Sequence, residues 1–372
     1  MKCRHFGACG SCTLYAIDYK KQLEEKHRRL AGLLAPFYQG EIETYSSSDT
    51  HYRARAEFRI WHERERCDYA MGNLSKDGSV VIEECPKVIR PIEERMGPLL
   101  EAVNESAVLS RKLFAVEFLA TTTGECLITM LYHRQLDEAW QREARALEEQ
   151  LNASIIGRAR KQRLVLSRDY VTEVLEIDSK KYKYRHYEGG FTQPNPFVNR
   201  EMITWAKARA AEVGGGDLLE AYCGLGNFTI PLADRFGKVL ATEISKNSIK
   251  AAKENCTLNG VENIAFVRLS SEEMTSALRK ERSFNRLKGI DIDEYDFRCV
   301  LVDPPRAGLD EATRKLISTF ENIIYISCNP ETLARDLEHL SRSHEVQKGA
   351  LFDQFPHTEH MESGVFLRMR NE

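Results

Sequence analysis

At 372 residues the chain exceeds one ordinary domain, and a composition 42% hydrophobic and 29% charged is that of a globular protein. It holds no run of about 18 apolar residues, and Met1-Lys2-Cys3-Arg4-His5 lacks the apolar core of a signal peptide. The expectation is a cytoplasmic protein with no membrane span, and a net charge of −3 gives no whole-chain sign of nucleic-acid binding.

Taken in order, Ile17 to Leu34 reads as an amphipathic helix stopped before Pro36. Tyr52 to Trp61 alternates with period two. Tyr52, Ala54, Ala56, Phe58 and Ile60 share one face, and Arg53, Arg55 and Arg59 stand on the other. A second strand pair, Phe114 to Thr121 and Cys126 to Tyr132, turns at Thr123-Gly124, and a helix over Asp137 to Leu151 follows. From Arg158 to His186 nine Lys or Arg face four Asp or Glu, a stripe able to neutralise phosphates or simply to be solvated.

Beyond about residue 190 strands and helices alternate, the sign of a parallel sheet with crossovers. The strands expected are Leu218 to Tyr222, Val239 to Thr242, Ile264 to Val267, Cys299 to Val302 and Ile323 to Ile326, with helices over Ser245 to Leu258 and Pro330 to Leu340. Of the ten cysteines, Cys126, Cys256 and Cys299 read as small core residues.

The first of these strands runs into Tyr222-Cys223-Gly224-Leu225-Gly226-Asn227-Phe228, a turn that lets backbone approach a nucleotide-like ligand. Glu243, 17 residues after Gly226, ends the next strand, where an acid can accept both ribose hydroxyls. A third glycine is missing, which favours an adenosyl cofactor over a dinucleotide. The fourth strand ends in Asp303-Pro304-Pro305-Arg306, directing Asp303 to the same crevice, unless it only caps a helix.

The fifth strand ends in Ser327-Cys328-Asn329-Pro330. A strand tip beside a helix start and a cationic sulfonium favours a thiolate at Cys328; the plainer reading is a buried core thiol. Near the end, His357, Glu359, His360 and Glu362 lack helical zinc spacing and suit a general base better than a metal. One thiol, one carboxylate and one methyl donor suffice to methylate uracil C5. The thiolate adds to C6, C5 takes the methyl group, and a base removes the C5 proton.

These motifs resemble the RNA uracil-C5 methyltransferases, and within them the branch acting on uridine 54 of the tRNA T-loop. The likeness is carried by His51-Tyr52-Arg53, Phe58-Arg59-Ile60-Trp61-His62, Phe191-Thr192-Gln193-Pro194-Asn195 and the Gly-x-Gly-Asn-Phe turn. Phe284-Asn285-Arg286-Leu287-Lys288-Gly289, Asp303-Pro304-Pro305-Arg306, Ser327-Cys328-Asn329-Pro330 and Phe352-Asp353-Gln354-Phe355-Pro356 complete it. It implies a Rossmann-like doubly wound methyltransferase domain over 189–372, behind an α+β RNA-recognition domain over 1–188. It implies Cys328 as nucleophile, Glu362 as proton acceptor, and Gln193, Tyr222, Asn227, Glu243 and Asp303 as contacts of S-adenosylmethionine. It further implies Arg59, Phe114 and His133 facing tRNA, where a ring can stack on an unstacked base.

Cys3-x5-Cys9-x2-Cys12 with Cys85-Pro86 departs from the tRNA branch and is similar to relatives carrying a [4Fe–4S] cluster. Such a cluster, or zinc in its place, is expected on Cys3, Cys9, Cys12 and Cys85. Since those relatives often act on rRNA, the same chemistry on rRNA is the alternative. Two others are an RNA-folding protein with dispensable catalysis and an amino-group methyltransferase, the latter disfavoured by Arg306 and Cys328. No obligate protein partner is evident.

Overall fold

A computed structural model describes residues 1–64 and 66–370; the last two residues of the expected second domain, 371–372, lie outside the described residues. Asp18 accepts from Lys20 N and caps α1 (Tyr19–Leu34). A short strand, β1 (Ile42–Tyr45), precedes β2 (Arg55–Glu63), β3 (Arg66–Gly72) and β4 (Ser79–Ile82). The helices α2 (Arg90–Glu105) and α3 (Ala107–Ser110) lead to the hairpin β5 (Leu113–Ala120) and β6 (Cys126–Tyr132). Then come α4 (Glu138–Leu151), β7 (Ser154–Ala159) and β8 (Gln162–Val165).

Strands β2 to β8 form one seven-stranded sheet, ordered β4-β3-β2-β5-β6-β7-β8 and antiparallel except between β6 and β7. The alternation of β2 is the reason it sits as it does. Ala54, Ala56, Phe58 and Ile60 enter one core with Ile92, Met96 and Trp140 of the covering helices, while Arg59 and Trp61 stay exposed. Next, β9 (Tyr170–Ile177) and β10 (Lys180–Tyr187) make a separate hairpin.

Asn195 caps α5 (Pro196–Val213), and then β11 (Asp217–Ala221), α6 (Thr229–Leu232), β12 (Val239–Thr242), α7 (Lys246–Leu258), β13 (Ile264–Val267) and α8 (Ser271–Leu278) follow. After β14 (Phe297–Val302) and α9 (Glu311–Ile317) come β15 (Asn322–Ser327), α10 (Pro330–Leu340), β16 (His344–Phe352) and β17 (Glu362–Met369). Their sheet runs β1-β16-β17-β15-β14-β11-β12-β13. Its five strands from β13 to β15 are parallel, and β17 lies antiparallel between β15 and β16. Chain direction reverses its progress between β11 and β14. At such a switch point a crevice opens beyond the carboxyl ends of the strands.

The fold is thus mixed α/β with a Rossmann-like second sheet. Sheet membership nevertheless crosses the expected division at residue 188. β1 pairs with β16, and the apolar face of α1, Leu30 and Leu34, shares a core with Leu333, Leu337 and Leu340 of α10. The β16–β17 hairpin, which the alternating pattern did not announce, lies in that sheet between β15 and the edge strand β1.

Candidate active site

The turn after β11 is built for close approach. Tyr222 takes the unusual φ of 65°, fixed by its hydroxyl on Ser271 Oγ at 2.8 Å. Gly224, with φ 54°, faces open space in which an added Cβ would touch nothing within 4 Å. Gly226, at φ 88°, packs so tightly that a Cβ would come within 3.1 Å of Ile230. Glu243, just past β12, accepts from Gly224 N at 3.2 Å and Ser245 N at 2.7 Å, which locks its carboxylate over the turn. Asn227 and Asn199 of α5 exchange two hydrogen bonds of 2.9 Å, and Gln193 accepts from Gln354 Nε2 at 3.3 Å.

Of two acids at the foot of the crevice, Glu220 is buried and Asp303 half-buried. Burial raises Asp303 to about 7 and Glu220, the penultimate residue of β11, to about 8. Glu220 Oε2 is buried without a hydrogen-bond partner among the described residues. An open glycine turn, an oriented carboxylate and an unsatisfied buried acid fit an adenosyl ligand that carries positive charge. Glu220 was missed by sequence reasoning; it lies two residues before the quoted turn, but nothing in a sequence marks an unpaired oxygen.

The nucleophile and base candidates meet through strand register. β15 and β17 pair antiparallel with Ser327 opposite Ser363, and continuing that register by one residue brings Cys328 toward Glu362, whose charge acts on the thiol. Glu362 is 4% exposed, and burial, then Asp303, pushes its carboxyl well above the ordinary range. The Cys328 thiol is pushed up to about 12, by burial first, then by Glu362 and Asp303, with Arg306 opposing. In the ligand-free protein these effects oppose the thiolate that the helix start alone would favour. The helix start is present, with Asn329 capping α10 and Pro330 in its first turn, but two carboxyls and lost hydration outweigh it. Arg306, which the sequence analysis gave no role at the thiol, is the cation that opposes them.

The rival bases separate cleanly. His357 is buried, with Nδ1 3.2 Å from Gln22 Nε2 and Nε2 3.0 Å from the Asp49 carbonyl. Glu359 and His360 are exposed. Of the four, Glu362 is the one brought toward the thiol.

Residues 18–370 match the family described as tRNA (Uracil-5-)-methyltransferase. The chain belongs to that family. It is 66% identical over 371 residues to the tRNA/tmRNA (uracil-C(5))-methyltransferase of Sulfurovum sp., with 100% of both chains covered. It is 52% identical over 370 residues to the protein of the same name from Nitratiruptor sp., covering 99% of each. In fold it is similar to the crystal structure of Pyrococcus abyssi tRNA (uracil-54, C5)-methyltransferase in complex with S-adenosyl-L-homocysteine. That match has a TM-score of 0.74 at 22% identity and covers 96% of this chain and 86% of that one. The chain is accordingly a uracil-C5 methyltransferase of the tRNA type.

In this family member the three RNA-side candidates share the seven-stranded sheet. Phe114 sits at a register shift between β5 and β6, and its ring stacks on His133 at 4.4 Å and 21°. Arg59 pairs with Ala115, one residue away, and is exposed. Arg55, from the same face, is spent on Glu117 and the Gly190 carbonyl, so it is no free phosphate ligand.

Cys3, Cys9, Cys12 and Cys85 line one cavity of about 30 Å³, room for about one water. Burial raises the thiols of Cys3 and Cys12, and that of Cys85 to about 11. Among the described residues no three His, Cys, Asp or Glu side chains are grouped so as to hold a metal ion. The thiols converge as their spacing suggests, but their geometry gives no support to the expected [4Fe–4S] cluster or zinc.

Proposed function

We propose that this enzyme transfers a methyl group from S-adenosylmethionine to C5 of uridine 54 in the tRNA T-loop, through a covalent bond between Cys328 Sγ and uracil C6. The observation that carries the reading is the register that brings Cys328 toward Glu362, beside Asp303 at the strand tips. Gln193, Tyr222, Asn227, Glu243 and Asp303 would hold the cofactor. When bound, it supplies an electrophilic methyl group and a positive charge. The eight-stranded sheet is then the transferring unit and the seven-stranded sheet the RNA-facing one, with Arg59, Phe114 and His133 toward the loop. The relatives' names extend the substrate to tmRNA, and the same loop chemistry would serve there.

In the free crevice Cys328, Glu362, Asp303 and Glu220 are all pushed toward their protonated forms. A cation beside them would lower each and so favour the Cys328 thiolate. The thiolate adds to C6 and the C5–C6 π pair moves toward O4. C5 would then take the methyl carbon of the bound donor, whose S–C bond breaks and leaves its electron pair on the sulfur. Glu362 takes the C5 proton, the C6–S bond breaks, and the ring double bond returns. A carboxylate with a raised pKa is the stronger base for that step. The target base must leave its stack to expose C6 and C5 together.

Denaturing gels with uridine-containing T-loop RNA test both roles. Cys328→Ala should form no covalent complex. Glu362→Gln keeps its size but cannot accept a proton, so it should methylate once and leave a protein–RNA band. Normal turnover by Glu362→Gln would refute the assigned base. Mapping of 5-methyluridine in a deletion strain should show its loss from position 54 of tRNA; loss from rRNA instead would favour the alternative. Nothing in this scheme passes through the N-terminal cysteines, and iron and zinc content of anaerobically purified protein tests that expectation by itself.

A further inference from the structure

The loop after β16 carries a buried amide whose orientation is fixed by its neighbours. Gln354, 0% exposed, accepts from Asn195 N through Oε1 at 3.1 Å. A backbone N–H can only donate, so this contact settles which end of the Gln354 amide is oxygen. Its Nε2 then faces Gln193 Oε1 at 3.3 Å and Met202 Sδ at 3.0 Å. Were the Gln193 amide reversed, two NH2 groups would face each other, and the buried one would lose a partner it cannot replace with water. Gln193 is therefore held with its oxygen inward. Its own Nε2 has no partner among the described residues, and the side chain is half-buried, so two N–H groups are left for a ligand.

The place of this amide in the fold gives it reach. Phe352 stands opposite Glu362 in the β16–β17 register, and Gln354 N donates to the Phe352 carbonyl at 3.1 Å. On its other side, Asn195 caps α5, and Asn199, one turn along that helix, holds Asn227 of the glycine turn. Gln354 thus joins the strand end that faces Glu362 to the helix that holds the glycine turn, with Gln193 at the join.

We propose that Gln354 is a positioning residue that fixes the polarity of the Gln193 amide, so that Gln193 offers only hydrogen donors and selects the carboxylate at the amino-acid end of the cofactor. The adenosine end meets the opposite polarity in Glu243, an acceptor locked by two backbone N–H groups. The inference rests on the cofactor role proposed for Gln193 above and adds the residue that gives that role its direction.

Calorimetry with two probes tests this: S-adenosylhomocysteine, which keeps the carboxylate, and methylthioadenosine, which lacks the amino-acid end. Gln193→Glu keeps the size and still accepts from Gln354, but it turns an oxygen to the crevice. It should weaken S-adenosylhomocysteine by roughly tenfold to a hundredfold, the loss of a hydrogen bond to a charged group, and leave methylthioadenosine unchanged. Gln354→Met keeps the length but donates nothing, which frees Gln193 to turn. It should weaken S-adenosylhomocysteine by roughly threefold to tenfold, again sparing methylthioadenosine. In a Gln193→Glu background Gln354→Met should add nothing, because the polarity it guards is already lost. Gln193→Glu leaves the bond between Asn195 and Gln354 in place, so it reads the polarity even where Gln354→Met melts early. Equal losses for the two probes, or an S-adenosylhomocysteine affinity unmoved in folded Gln354→Met, would overturn the positioning role alone. Gln193→Glu that changes neither affinity would remove Gln193 from the cofactor site, and the inference with it. Wild-type protein that binds neither probe would overturn the cofactor reading as a whole.

Discussion

Cys328, the proposed nucleophile, has its thiol pushed up to about 12 in the free protein. Little thiolate is then present at pH 8, and reaction with a small alkylating reagent should be slow there. Glu362→Gln removes one of the two carboxyls that raise the thiol, so the alkylation profile should move to lower pH. Mass-spectrometric rates for Cys328 across pH check this, and an unmoved profile would mean that Glu362 does not face the sulfur. What was legible at this scale follows from strand tips. Glu243, Asp303 and Cys328 each end an apolar run, so a period-two reading brings them to one edge. The pressure on the thiol was not legible, because it comes from burial and from Glu362, 34 positions away in the chain.

The helix α1 was readable from its period and its stop before Pro36, but its partner was not. Its buried side includes Gln22 and Lys26, polar residues a pattern reading assigns to solvent. Lys26 Nζ meets Asp353 at 2.7 Å, 327 positions away, with both side chains buried, and also donates to the Phe355 carbonyl at 3.0 Å. With the Gln22–His357 bonds, this pins the loop that leads into β17 and Glu362. Removing one partner strands the other, so Lys26→Met should cost about 3–5 kcal/mol in urea unfolding. Lys26→Met with Asp353→Leu should recover most of that, since no charge is left unpaired. A double variant as unstable as the single would mean that the loss is one of packing. The β16–β17 hairpin escaped reading for a related reason. It adds antiparallel strands to a parallel sheet, and alternation of strand and helix predicts only the parallel part.

Across the whole molecule, the raised acids tie stability to pH. Glu220 at about 8, Asp303 at about 7 and Glu362 above its ordinary range keep protons that the unfolded chain releases near pH 4 to 5. The folded state therefore binds more protons in that interval, and its stability falls as pH rises through the folded values. Melting of cofactor-free protein should move to lower temperature between about pH 5 and pH 8, and Glu220→Gln should flatten the decline. A melting temperature that climbs over that range would contradict the burial of these acids. The pairing of β1 with β16 has a consequence for how such a chain is made. Ile42 lies opposite Gly349, 307 positions later, and at about 5–20 residues per second a ribosome needs roughly 15–60 s to supply that partner. Until then the nascent N-terminal segment carries an edge strand and the apolar face of α1 with nothing to cover them, while the β2 to β8 sheet can already fold. Synthesis thus delivers the folded seven-stranded sheet first, and the proposed reaction centre is assembled last, when β1 has met β16.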